Sequence, residues 1–155
     1  MKKLIAFALL AALLLALFGC GATQEPIKPI LTPETAPEKD AYAQDTGEPE
    51  GTGSSTVEYQ TNVTLELEKK KFILELENPN SSAVDMIAQI VIQDQVRGQS
   101  GLLPIGHRLS SIDAFDLEGL TEGDHQGTLV LLYYNPKDGQ RIKLQNEIPI
   151  TVHVH

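Results

Sequence analysis

A serine, a histidine and an aspartate in one stretch of the chain supply the side-chain types of a hydrolytic triad. Ser100 would be the nucleophile, His107 the base and Asp113 the residue that orients the base. A nucleophilic serine is usually presented on a sharp turn with the pattern Gly-x-Ser-x-Gly, and this pattern is absent around Ser100. We therefore interpret the three residues as polar loop residues and expect no catalytic site.

Two further sets of side chains are of the kind that binds metal ions. His153 and His155 fall on the same face of a strand, a spacing that can hold a metal, but we identify no third ligand. Carboxylates between residues 113 and 124 have the oxygen ligands that Ca²⁺ prefers, although their spacing matches no calcium loop that we can name. The acidic set is Asp113, Asp116, Glu118, Glu122 and Asp124. We expect solvent-facing histidines, a solvated acidic rim and no cofactor.

One segment, residues 129–134, is apolar at every position. Because successive side chains of a strand point to opposite faces, half of this segment faces away from the core. Ile87 and Val91 of a neighbouring strand would share that outward face. An exposed apolar stripe usually marks an interaction site, unless a loop or residues 98–106 cover it. The candidate partner-binding residues are Ile87, Val91, Val130, Leu132 and Tyr134.

Alternation of apolar and polar residues with a period of two is the main structural signal from residue 57 to 155. We expect strands near residues 63–67, 72–77, 84–95, 109–117, 127–134, 141–144 and 147–154. A turn at 78–82, a loop or short edge strand at 98–106 and a hairpin turn at 135–139 separate them. About seven short strands with such turns predict an all-β domain, an immunoglobulin-like antiparallel β-sandwich. Ile90, Leu131 and Ile150 are predicted core residues.

The stretch leading into residue 129 resembles the approach to the sixth strand of immunoglobulin-like sandwiches. A loop glycine there precedes a tyrosine whose hydroxyl ties back to the backbone, the tyrosine corner. Gly123 matches the glycine, and His125 stands at the tyrosine position. The resemblance therefore implies that the corner is altered or absent in this chain.

Residues 20–56 have a different composition, with five prolines and many Gly, Ser, Thr and acidic residues. Apart from Ile27, Ile30 and Leu31, this segment has no apolar run that could bury a face. Such a segment does not recover the entropy of ordering, so we expect a disordered acidic tether. The domain would then begin at Val57.

The N-terminus carries a third kind of chemistry, in the chain's single cysteine. Lys2 and Lys3 precede the apolar stretch 4–18, which is the plan of a secretory signal, and the stretch ends in Leu17-Phe18-Gly19-Cys20. This ending resembles the lipobox of bacterial lipoproteins. The resemblance implies that residues 1–19 are removed and that Cys20 carries lipid, which holds the protein on the outer side of the cell membrane. The layout is also similar to that of small uncharacterised Gram-positive lipoproteins.

The charge of the chain excludes one class of partner. Ten basic and 21 acidic residues follow residue 19, and nucleic acids are bound by cationic surfaces. We expect a non-catalytic binding or structural module of the cell envelope with an unidentified protein partner. A carbohydrate-binding adhesin is an alternative, although the domain has five aromatic residues and no Trp. A small metal-dependent hydrolase is the less favoured rival.

The lipobox predicts the outcome of one substitution. Cys20→Ser removes the acceptor thiol, so labelled palmitate should no longer enter the protein and the signal peptide should stay uncut. Thr23→Ser, three residues away, is the matched control and should retain the label. Label of equal intensity in the Cys20→Ser protein would contradict lipidation at this residue.

Overall fold

A computed structural model describes residues 32–47 and 55–155. These residues form nine β-strands, several of which alternate apolar and polar side chains. No α-helix is present in these two ranges. The predicted signal peptide 1–19, Cys20 and the rest of the predicted tether, residues 21–31 and 48–54, lie outside the described residues. The strands are β1 Gln44–Asp45, β2 Glu58–Tyr59, β3 Asn62–Glu66, β4 Lys71–Asn78, β5 Asp85–Ile92, β6 Gln95–Gln99, β7 His107–Asp113, β8 Gly123–Tyr134 and β9 Arg141–Val154.

The strands form one continuous sheet in the order β1-β7-β4-β3-β9-β8-β5-β6, and β2 pairs with β4 beside β3. Strands β3 and β9 run parallel, and the other neighbours are antiparallel. The sheet curls, because Gly98 of β6 forms a bridge with Ala114, which directly follows β7 near the opposite end. The all-β prediction is confirmed, while the division into two packed sheets of immunoglobulin type stays a prediction.

The core lies on the concave side of the curled sheet and follows the predicted alternation. On β4, Phe72, Leu74 and Leu76 are buried, whereas Ile73 between them is 39% exposed. The predicted core residues are confirmed, since all three are almost inaccessible to solvent. They are Ile90, Leu131 and Ile150. The burial of these apolar side chains supplies the main stabilising free energy of the domain.

Several element bounds differ from the prediction for local reasons. Residues 95–99 form β6 because a two-residue turn joins them to β5, with Gln93 and Asp94 at φ of 54° and 58°. The two expected C-terminal strands are one strand of 14 residues, β9. The register between β4 and β7 shifts between Ile73 and Leu76, with the extra residue on β4.

The altered corner at the start of β8 is formed by a histidine. His125 donates from Nε2 to the backbone oxygen of Thr121 at 2.8 Å. The tie therefore runs back to the chain just upstream, as the hydroxyl does in a tyrosine corner.

Residues 32–47, which we name the covering segment, correct the predicted domain boundary at Val57. This part of the expected tether lies on the domain and bonds to it through its backbone. Strand β1 pairs with β7, and the amide of Leu102 donates to Glu38 O while Asp40 N donates to Leu102 O, both at 2.8 Å. The Asp40 carboxylate also accepts from Gly101 N at 2.6 Å. Composition alone missed this order because the partners are distant in sequence.

The close approach at Gly101 gives a test of how the covering segment docks. A Cβ at this position would lie 2.7 Å from Asp40 Cα and 2.9 Å from Glu38 O. Gly101→Ala should therefore displace the segment, cost about 1–3 kcal/mol, and remove hydrogen-exchange protection from the Asp40 and Leu102 amides.

Gly119→Ala is the control for this experiment. Nothing lies within 4 Å of a Cβ there, although the φ of 81° strains any other residue. It should lower stability without selective loss of protection at Asp40 and Leu102. Unchanged protection of these amides in Gly101→Ala would contradict the docking.

Candidate functional site

The possible partner-binding residues are buried within the chain, which favours the alternative that a loop covers this face. Ile87, Val130, Leu132 and Tyr134 form a second apolar cluster on the convex side of β5 and β8, which we name the outer cluster. Each is at most 2% exposed. Val91, half-buried, packs at its margin together with Ala36 and Leu102. The covering comes partly from the 98–106 segment, as the sequence allowed, and partly from the covering segment.

Tyr134 connects the outer cluster to the start of the covering segment. Its hydroxyl donates to Pro33 O at 2.9 Å. Burial raises the pKa of the Tyr134 hydroxyl, and the nearby Arg141 guanidinium lowers it in part. The hydroxyl therefore stays protonated at neutral pH and acts as a donor. Arg141 N donates to Glu34 O at 3.0 Å, which holds the same stretch from the other side.

Ser100, His107 and Asp113, which have the side-chain types of a triad, each bond to different partners. Ser100 Oγ accepts from Ala88 N at 2.9 Å and donates to Gly101 O at 2.8 Å. His107 Nε2 lies 2.7 Å from Lys39 Nζ, which only donates. The other ring nitrogen, Nδ1, therefore carries the hydrogen and donates to Ile105 O at 3.0 Å. The structure does not bring the three side chains together.

The carboxylates of the acidic rim, residues 113–124, contact side chains of different strands instead of one another. Three of its carboxylates lie beside basic side chains from elsewhere in the sheet, and the contact of Asp124 with His153 is an ion pair only when the imidazole is protonated. The pairs are Asp113 with Lys71 at 3.4 Å, Asp116 with Arg97 at 4.0 Å and Asp124 with His153 at 2.7 Å. In the part of the chain that the structure describes, no group of three or more His, Cys, Asp or Glu residues is placed to hold a metal ion. His153 is thus paired with a carboxylate, and His155 is the exposed last residue.

A solvent-open groove lies across β2, β4 and β7, at residues that the sequence analysis did not select. Its volume is about 290 Å³, and Leu76 lies at its base. Its other lining residues are Glu58, Tyr59, Gln60, Glu75, Glu77 and Arg108. The two-residue strand β2 is too short to give a period-two signal, and it is β2 that brings Tyr59 to this place. The only sequence signal was an aromatic residue flanked by two polar ones.

The strand register gives the groove its chemistry. Glu58 of β2 stands opposite Glu77 of β4, which stands opposite Arg108 of β7. Tyr59 is 43% exposed. Arg108 is exposed, and its Nε donates to Gln44 Oε1 at 3.3 Å. An aromatic ring, three carboxylates and one guanidinium together can bind hydroxyl-rich or cationic groups by stacking and hydrogen bonding.

Comparison with known proteins gives no family for this chain. The chain matches no known protein family and no curated protein. A crystal structure of the YadV chaperone is similar at 13% sequence identity with a TM-score of 0.41, over 64% of this chain and 50% of that chain. This chain thus spans half the length of that structure. None of the described residues forms a helix long and apolar enough to cross a membrane.

Burial of the outer cluster predicts equal stability losses on the two faces of β8. Leu131→Ala removes a core side chain and Leu132→Ala removes one from the outer cluster, and each should cost about 2–5 kcal/mol. Ile73→Ala, on the exposed side of β4, is the control and should cost less than about 1 kcal/mol. Urea unfolding of the full-length chain measures all three. A Leu132→Ala loss as small as the control would mean that the covering segment leaves this face open in solution.

Proposed function

We propose that the protein is a lipid-anchored lipoprotein on the outer side of the cell membrane. Its β-domain would serve as a non-catalytic binding module of the envelope. The lipobox at Leu17-Phe18-Gly19-Cys20 supports the anchor and the location. The bonds of Ser100, His107 and Asp113 support a binding function, because each candidate reactive group has a partner outside the set of three.

The open groove at Tyr59 is the single observation that carries the binding proposal. It combines an exposed aromatic ring with charged side chains on three adjacent strands. Interfaces commonly depend on an aromatic anchor surrounded by polar groups. Because three glutamates face one arginine there, the groove favours a protein partner that presents Lys or Arg. The outer cluster is buried and therefore offers no surface to a partner.

Carbohydrate binding is the second candidate function, and the same tyrosine favours it. Sugars stack on exposed aromatic rings while carboxylates and guanidinium groups bind their hydroxyls. Tyr133 and Tyr134 are buried, so neither provides a stacking surface. Tyr59 is the aromatic residue that lies beside the polar side chains of the groove.

Site-specific photo-crosslinking in the native membrane tests the groove. A photoreactive residue at Gln60 should give a discrete protein adduct, and the same residue at Phe115, which is 39% exposed elsewhere on the surface, should not. Tyr59→Ala should reduce the adduct at Gln60 at least about tenfold, whereas Tyr42→Ala should leave it unchanged. Tyr42 is a matched control, with 41% exposure against 43% for Tyr59.

Carbohydrate binding can be measured separately with the same variants. Binding of soluble cell-wall glycans that is lost in Tyr59→Ala, without a protein adduct at Gln60, would replace the protein partner by a carbohydrate. Equal adducts at Gln60 and Phe115, with no glycan binding, would overturn the groove as the binding site.

A further inference from the structure

Strand β9 has a free edge along its middle. On one side it pairs with β8 over nearly its whole length. On the other side, β3 pairs with residues 151–154, and the covering segment bonds to residues 139–141. Among the described residues, none pairs with the outward edge between positions 142 and 149. An unpaired strand edge is a template for another strand.

The backbone groups that point out of this edge can be identified from the bonds at its two ends. Arg141 N donates to Glu34 O and Thr151 N donates to Thr61 O, both on the side away from β8. The register with β8 is regular from Gln145 to Val154, so the amides and carbonyls of residues 145 and 147 point the same way as those of Thr151. The register with β8 shifts between Gln145 and Arg141, and Lys143 lies between these two outward-pointing residues. Pro149 belongs to the same set but has no N–H, so the row of free donors ends there.

We propose that a second copy of the chain occupies this edge, with the two β9 strands antiparallel about a two-fold axis at Gln145. Lys143 then stands opposite Glu147 of the second copy, and Glu147 stands opposite its Lys143. The segment Lys143-Leu144-Gln145-Asn146-Glu147 is self-complementary in charge about its centre. Opposite charges on directly facing residues stabilise antiparallel pairs.

The side chains along this edge are already arranged for pairing. Gln145 Nε2 donates to Glu147 Oε1 at 2.7 Å, and Arg141 Nη2 donates to Gln145 Oε1 at 3.2 Å. These bonds hold the polar row in place before the second strand arrives, which reduces the entropy lost on pairing. On the other face of the strand, Leu144 is 51% exposed. Pairing would place it within reach of Leu144 and Ile148 of the second copy.

Antiparallel pairings of the two β9 strands centred on residue 144 or 146 fit less well than the pairing centred on Gln145. A shift of the centre to position 144 places Glu147 opposite Arg141, whose N–H is already used by Glu34. A shift to position 146 places Lys143 opposite Pro149, which has no N–H to give. The same patch therefore serves both copies in one register, which gives a two-fold dimer and no filament. This inference goes beyond the proposed function, because it needs neither the lipid nor the groove.

Charge exchange tests the pairing in the full-length protein. Sedimentation equilibrium in density-matched detergent should detect a dimer at a protein concentration on the order of 100 µM, since the interface is small. Lys143→Glu should weaken the dimer about tenfold or more, as should Glu147→Lys, because each places like charges opposite one another twice. The double exchange should restore the wild-type association. Lys137→Glu, in the β8–β9 turn, changes the net charge equally and should have no effect.

Cysteine crosslinking tests the register. Facing residues of a hydrogen-bonded antiparallel pair have Cα atoms about 5.5 Å apart, within the range for a disulfide. Oxidation should therefore link Gln145→Cys chains, whereas Leu144→Cys chains, whose Cα atoms lie about 7–8 Å apart on the diagonal, should link far less. The wild-type chain is the control, because any disulfide-linked dimer that it forms must come from Cys20.

Three results would overturn the proposal. They are a wild-type chain that is monomeric at that concentration, single charge variants that associate as the wild type does, or equal crosslinking at positions 144 and 145. All of them are independent of palmitate labelling and of the Tyr59 variants.

Discussion

The requirement that β8 be buried on both faces governs the rest of the structure. Leu129, Leu131 and Tyr133 fill the main core, so the side chains between them need a second apolar layer on the convex side. Strand β5 supplies part of that layer. The remainder comes from Ala36 and Leu102, which are far from each other in sequence. Apolar burial on the convex side thus fixes the covering segment as well as the strands.

The sequence predicted those features that depend on local alternation. The inward faces of β3, β4, β5 and β8 follow from period-two patterns, because a strand in a half-buried sheet repeats its environment every second residue. The position of the covering segment could not be predicted in this way. Its bonds use backbone groups and join Asp40 to Leu102, so neither composition nor periodicity reports them. The tether prediction failed at residues 32–47 for this reason.

The candidate site likewise combines residues that the sequence marks with residues that only tertiary pairing brings together. The side chains with the strongest chemical character, Ser100, His107 and Asp113, are used in holding loops and strands together. The groove at Tyr59 depends instead on cross-strand neighbours from β2, β4 and β7, whose register is set by tertiary pairing. A sequence pattern identifies residue types within one strand, but it does not show which strands are adjacent. Sites formed across a sheet are therefore harder to predict than motifs within a loop.

If Cys20 carries the proposed lipid, the covering segment would also shorten the reach between the anchor and the domain. With the proposed lipid on Cys20, a domain starting at Val57 could move roughly 125 Å from its anchor, at about 3.4 Å for each extended residue. The first described residue is Thr32, and an extended chain from Cys20 to Thr32 measures only about 40 Å. The chain enters beside Pro33 and Tyr134, next to the turn at residues 135–139. A tether of that length would keep the point where the chain enters the domain within about 40 Å of the proposed lipid.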